Sequence, residues 1–370
     1  MQYRLNREVL KNFNEEAENK VEIKNEPTKL AIIFMSALLL SRVAIMIGEG
    51  DISGVAPFGI AFLISVIASR EQGKIIIASI GALVGYFTIN TTLKDGWMYL
   101  VTVLMVLGYS IVINKFHKRL NEKHFFIIVF LSYIVYGLVI SNYDIGVNIT
   151  ISGLNTIFTL PVYYVIKYGL KCVNEYNTNY FFNIEEVISI SIIICLMIAG
   201  IGEIGIYGIG IRNIVSFAAV VSIAYIGGPA NGAAIGIAMG VIMGITSGDM
   251  ISGIGLYGSI GLIVGLFKET GKLFSFLSSI MIYLILLLYS QGLHMEGIIE
   301  ILIGGFIFLI IPKKILNLLE AEICQEAKMN AINEGHLTQV KNEFSRKVKG
   351  FGSALNILST SLNSISDNNK

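Results

Sequence analysis

Between Leu30 and Ile311 one pattern recurs: an apolar run of about 16 to 20 residues, then a short polar interruption. That run length lets an α-helix cross a bilayer core of about 30 Å. The runs fall near 30–47, 55–69, 75–90, 97–113, 125–140, 147–166, 187–202, 213–226, 230–247, 251–267, 273–289 and 297–311. They predict an all-α fold, a polytopic transmembrane helix bundle. One joint is ambiguous, because Gly227, Gly228 and Pro229 carry no charge and lie between glycine-rich runs. The pair around it reads as two full spans or as a re-entrant hairpin, so the prediction is ten to twelve spans.

Charge divides the chain into three parts. Residues 1–29 form a charged cytosolic lead, 30–311 the transmembrane region, and 312–370 a cytosolic segment in which charges return after Pro312. Lys and Arg collect in alternate loops, at Arg70 and Lys74, at Lys115 to Lys123, at Lys167 and Lys171, at Lys268 and Lys272, and at Lys313 and Lys314. The opposite loops are acidic, with Asp51, Asp95, Asp144 and Asp249 among them. By the positive-inside rule both termini are predicted to be cytoplasmic.

Composition narrows the class. Apolar residues make up 54% of the 370-residue chain and charged residues 14%, against about a quarter charged in soluble domains. A net charge of +1, with no concentrated basic footprint, argues against a nucleic-acid partner. Cys172, Cys195 and Cys324 are odd in number and widely separated, so neither a disulfide framework nor a metal spacing is present. No phosphate-cradling loop, nucleophile elbow or zinc-helix pair of histidines occurs. No cofactor, metal site or catalytic group is predicted from these residues.

The densest local signal is a glycine row. Gly228, Gly232, Gly236, Gly240, Gly244 and Gly248 stand four residues apart. Each glycine costs a water-exposed helix about 1 kcal/mol relative to alanine, whereas in lipid this spacing forms a groove into which another backbone sinks. The groove serves either internal packing or a self-association face. Arg42, about two thirds along the first run, is the conspicuous intramembrane charge, with Glu49, Asp51 or Glu203 as its candidate counter-charge. In the tail, Phe344, Val348, Phe351, Leu355, Leu358, Leu362 and Ile365 are spaced 4, 3, 4, 3, 4, 3. That seam predicts a coiled coil or an amphipathic helix that needs a partner.

Several stretches together resemble the membrane region of stage II sporulation protein E: Ser41-Arg42, Ala56-Pro57-Phe58-Gly59, GGPANGAAIGIAMG from Gly227 to Gly240, and GLIVGLFKETGKL from Gly261 to Leu273. The resemblance implies a membrane region of about ten spans, then a central cytosolic segment for oligomerisation and contact with the division septum. A metal-dependent Ser/Thr phosphatase of the 2C type, acting on an anti-sigma factor antagonist, completes the family's plan. It also implies contact with the tubulin-like division protein FtsZ. The phosphatase motifs have no counterpart before Lys370, so its Mn or Mg is expected only for that absent domain. The expected function is therefore a membrane anchor and assembly module, embedded in the lipid bilayer and forming a homo-oligomer. The rival is a small-molecule transporter, for which Arg42, Asn155 and Asn231 are the few candidate midplane polar groups.

Overall fold

The computed structural model describes residues 27–46, 54–69, 71–90, 93, 95–116, 122–141, 144–174, 184–202, 204–206, 208–247, 249–289, 296–312 and Leu316. Gly248, Glu203, the lead up to residue 26 and the tail seam from Phe344 to Ile365 lie outside the described residues. The chain divides into two compact units, one of residues 1–176 and 182–311 and the other of residues 177–181 and 312–370. Everything below concerns the first unit.

Helices stand where the apolar runs are. α1 (Pro27–Ser41) leads into a small antiparallel hairpin of β1 (Ile45–Met46) and β2 (Gly54–Val55). α2 (Phe58–Ala68), α3 (Gln72–Ile89), α4 (Gly96–Lys115), α5 (Glu122–Val139) and α6 (Ile145–Asn174) follow. α7 (Ile184–Ala199) leads into a second hairpin, β3 (Gly205–Ile206) with β4 (Ile209–Gly210). Next come α8 (Ile211–Ser247), α9 (Met250–Leu266), α10 (Lys272–Tyr289) and α11 (Glu296–Ile310). α8 is two limbs, 211–227 and 229–247, because Gly228 has φ 76° and ψ −173°. The limbs fold back on each other: a Cβ at Gly232 would touch Ala224, and the Ser216 hydroxyl lies 3.6 Å from the Met243 sulfur.

This order repeats itself. A helix, a two-strand hairpin, a helix, a sharp turn and four more helices make up residues 27–174, and the same series makes up 184–310. The packing repeats with it. α2 contacts α3, α4 and α6, and its counterpart, the first limb of α8, touches the second limb and α11; α4 pairs with α5 as α9 pairs with α10. Among the described residues each half has six helices, the limbs of α8 counted separately, a plan like that of membrane proteins built from internal repeats.

The outward faces are those of a protein dissolved in lipid. α10 buries Ser275, Ser279 and Tyr283, four residues apart, and exposes Leu277, Met281, Ile285 and Leu288. α3 likewise buries Ala78, Ser79, Gly81, Ala82 and Gly85, and exposes Ile76, Ile80, Val84 and Phe87. Small and hydroxylated residues inside with large apolar ones outside reverse the amphipathy of a soluble helix. Several buried serine and threonine hydroxyls are satisfied locally: Ser79 donates to the Ile75 carbonyl at 2.8 Å, Thr102 to Met98 at 2.8 Å and Ser279 to Phe276 at 2.6 Å.

Among the described residues, six helices are long and apolar enough to cross a membrane and five apolar ones are shorter. The second predicted span shows why the sequence overstates length. α2 has 11 residues, a rise of about 16 Å, and is buried along nearly its whole length. It is apolar all round because protein surrounds it, and the first residues of its run belong to the hairpin. Arg42 also differs from expectation. α1 ends at Ser41, so Arg42 stands in the turn beyond the helix, half-buried, with its Nε buried and unbonded. Its Nη2 lies 3.0 Å from where a Cβ on Gly202 would be.

A polar cavity beside a glycine hairpin

The glycine row is filled from within the same chain. A Cβ at Gly232, Gly236 or Gly240 would collide with the carbonyl oxygen of Gly261, Tyr257 or Gly253, and one at Gly244 with the Cα of Met250. The steps of four from Gly232 to Gly240 are matched by steps of four back along α9, and the last, to Gly244, by a step of three. α9 supplies glycines of its own, since a Cβ at Gly253, Gly261 or Gly265 would strike Gly240, Gly232 or Gly228. The two backbones are thus in direct contact from Gly228 to Met250. Of the two uses expected for the row, internal packing is the one seen from Gly232 to Gly244, where α9 occupies the groove.

Two lysines seal the lower end of this assembly. Lys268 Nζ donates to the Ile226 carbonyl and Lys272 Nζ to the Ile311 carbonyl. These carbonyls end helical segments, where the usual partner N–H is missing and the dipole favours a cation. Asn231 serves the same turn, donating to the Gly227 carbonyl at 3.2 Å.

In the first half, the space behind the hairpin is closed by aromatic rings. The Tyr99 hydroxyl accepts from the Ala56 N–H at 3.0 Å and donates to Asn155 Oδ1 at 2.7 Å. The Tyr86 hydroxyl accepts from the Ile60 N–H at 3.1 Å and donates to the Ala56 carbonyl at 2.7 Å. The Tyr86 and Tyr99 rings stack at 5.2 Å, and Tyr133 meets Tyr99 edge-on at 6.0 Å. All four side chains are buried, and Asn155 Nδ2 is taken up by the Ile151 carbonyl at 3.0 Å. Asn155 is a structural bolt. It lines no cavity.

The second half has a cavity of about 460 Å³ at the corresponding place. The Gly210 N–H, at the end of the hairpin, donates to Glu300 Oε1 at 2.7 Å, as Ala56 donates to Tyr99. Asn213 Nδ2 lies 3.1 Å from Glu300 Oε1 and 2.9 Å from Oε2. Glu300 is 9% exposed. Tyr257 of α9 and Tyr283 of α10 line the cavity, where the first half has Tyr99 of α4 and Tyr133 of α5. Gly297 lets the Tyr283 hydroxyl approach, since a Cβ there would strike it. The hairpin of glycines forms one wall through Gly244 and Gly253, and Asp249 stands at the rim. Its carboxylate accepts from the Ser252 N–H at 3.2 Å and is held below the usual carboxylate range by its bonds to Ser252.

Glu300 lies inside the last apolar run and was not among the residues expected to carry function. A carboxylate there was the available signal, because ionisable groups in spans are costly and mark sites. The motifs that carried the resemblance meet in pairs. Ser41 packs against Gly59 of the Ala-Pro-Phe-Gly stretch, and Gly228 and Gly232 pack against Gly265 and Gly261 of the later one. No curated protein and no solved structure matches the chain. Residues 2–320 match the family described as SpoIIE, N-terminal domain. That match spans most of the chain, and the chain belongs to the SpoIIE N-terminal domain family.

Proposed function

We propose that this chain is a membrane-anchoring and assembly module, of ten to twelve spans, that holds residues 312–370 at the cytoplasmic face of the division septum. The observation that carries this reading is the reversed amphipathy of α3 and α10, which makes lipid the solvent of the bundle. The polar interior of the first half is spent on holding its own helices together, as the Tyr99 and Tyr86 bonds do. Assembly falls to the seam from Phe344 to Ile365, because the glycine row is used inside the chain. Its partners are a second copy and, by family resemblance, FtsZ. Within this reading the membrane region needs no cofactor, both termini are cytoplasmic, and catalysis belongs to the family's phosphatase.

Replacing Phe351 and Leu355 by Ser in the full chain tests this. Self-association and septal enrichment are expected to fall while membrane insertion persists, and an unchanged oligomer and septal signal would refute the seam's role. A second reading, a small-molecule transporter, draws on the cavity around Glu300. It requires solute to pass into liposomes that contain the purified chain; an anchor passes none.

A further inference from the structure

We propose that the cavity beside the glycine hairpin is a binding site for a small zwitterion carrying an ammonium group and a carboxylate, such as a free amino acid. The inference goes beyond anchoring and holds with or without transport.

The fold does not require this cavity. The first half closes the same place with Tyr86, Tyr99 and Asn155, all buried: Tyr99 bonds Asn155, and Tyr86 stacks on Tyr99 and bonds the Ala56 carbonyl. The second half keeps about 460 Å³ open, within the roughly 300 to 1,000 Å³ of small-molecule sites. Two opposite charges, Glu300 and Arg212, line the open space, and the Asp249 carboxylate, bonded to the Ser252 N–H, stands at its rim. Glu300 is nine-tenths buried and is aimed by Gly210 and Asn213, yet no ion pair reaches it among the described residues. Arg212 lines the same cavity, and among the described residues its guanidinium makes neither an ion pair nor a hydrogen bond.

A buried carboxylate without a counter-charge is costly. A ligand cation that settles on the remaining lone pairs of Glu300 relieves that cost. Arg212 offers a planar fork of donors suited to a carboxylate. The two groups sit on separate elements, the start of α8 and the first turns of α11, so a molecule with both charges can bridge them. Tyr257 and Tyr283 provide the apolar walls such sites have. Ligands with only one charge would leave the other protein group unpaired and bind less well.

The test uses the full chain in nanodiscs, with thermal unfolding and calorimetric titration as readouts. Probes are glycine, alanine, serine, glutamate and lysine, each set beside its decarboxylated amine and its deaminated acid. At least one amino acid is expected to raise the unfolding temperature, and to bind at least tenfold more tightly than its amine or its acid. Glu300→Gln keeps the shape and the bond to Gly210, and should abolish the shift; half-buried Arg212→Gln should do the same without disturbing the core. The proposal is overturned if no amino acid binds at millimolar concentration, if an amine or acid binds as tightly as its parent, or if binding survives Arg212→Gln.

Discussion

Replacing Gly236 by alanine separates helix propensity from close packing. The added methyl would stand 2.8 Å from the Tyr257 carbonyl carbon and 3.0 Å from the Gly258 Cα, and closer still to the Tyr257 oxygen. Comfortable carbon contacts lie at about 3.5 to 4.0 Å, so α9 must retreat by roughly 1 Å. A gap of that size forfeits roughly a quarter to a half of each dispersion contact along the seam. Overpacking of this kind costs about 1–3 kcal/mol, whereas alanine gains up to about 1 kcal/mol over glycine in helix propensity. Gly255, exposed on α9 with nothing within 4 Å of a Cβ, provides the control. Gly255→Ala collects the propensity gain without the clash, so the two variants should differ by about 1–3 kcal/mol, or roughly 5- to 150-fold in the unfolding constant. Equilibrium unfolding in mixed micelles, read by steric trapping of the α8–α9 hairpin, measures the difference. Equal stability of Gly236→Ala and Gly255→Ala would refute the claim that the two backbones touch.

Tyr99→Phe removes the hydroxyl that joins the Ala56 N–H to Asn155, and leaving those buried groups unbonded should cost about 1–3 kcal/mol; calorimetry of the purified chain checks it. Combined with Asn155→Ala the losses should not add, because the two residues share one network. Gly228→Ala forces a side chain into a conformation essentially reserved for glycine, φ 76° and ψ −173°, at a cost of about 1–3 kcal/mol; faster proteolysis at the α8 turn is the expected readout. Asp249 caps α9, and its folded-state pKa lies below the unfolded value. Its contribution is therefore present above the unfolded pKa and is lost as pH falls through the folded one. Asp249→Asn should keep the cap while flattening the pH dependence of hairpin unfolding between neutral and acid pH.

Much of this architecture is written in the hydrophobic pattern. Every predicted run contains a helix, and the uncharged Gly227, Gly228 and Pro229 do reverse the chain, because only glycine accepts the backbone found at 228. The row from Gly232 to Gly244 announces a backbone neighbour, but a groove on one helix does not say which helix fills it. The glycines of α9 at 253, 261 and 265 stand at matching intervals, and read together the two rows point to an antiparallel pair. The shortness of α2 was hidden, since a helix enclosed by protein and one that spans lipid are both apolar all round. Burial, and not composition, separates them. The duplication was hidden for a different reason: the hairpins that mark each half have two residues per strand, too few for any periodicity. The cavity depends on Arg212, Asn213 and Glu300, which are 87 residues or more apart between α8 and α11. Only the folded packing brings them together.

The most direct test of the anchoring account is to image the full chain, in sporulating cells, with a reporter fused after Lys370 that fluoresces only in the cytoplasm. The account predicts a membrane-bound signal concentrated at the asymmetric septum. A dark reporter, or one diffuse through the cytosol, would contradict it.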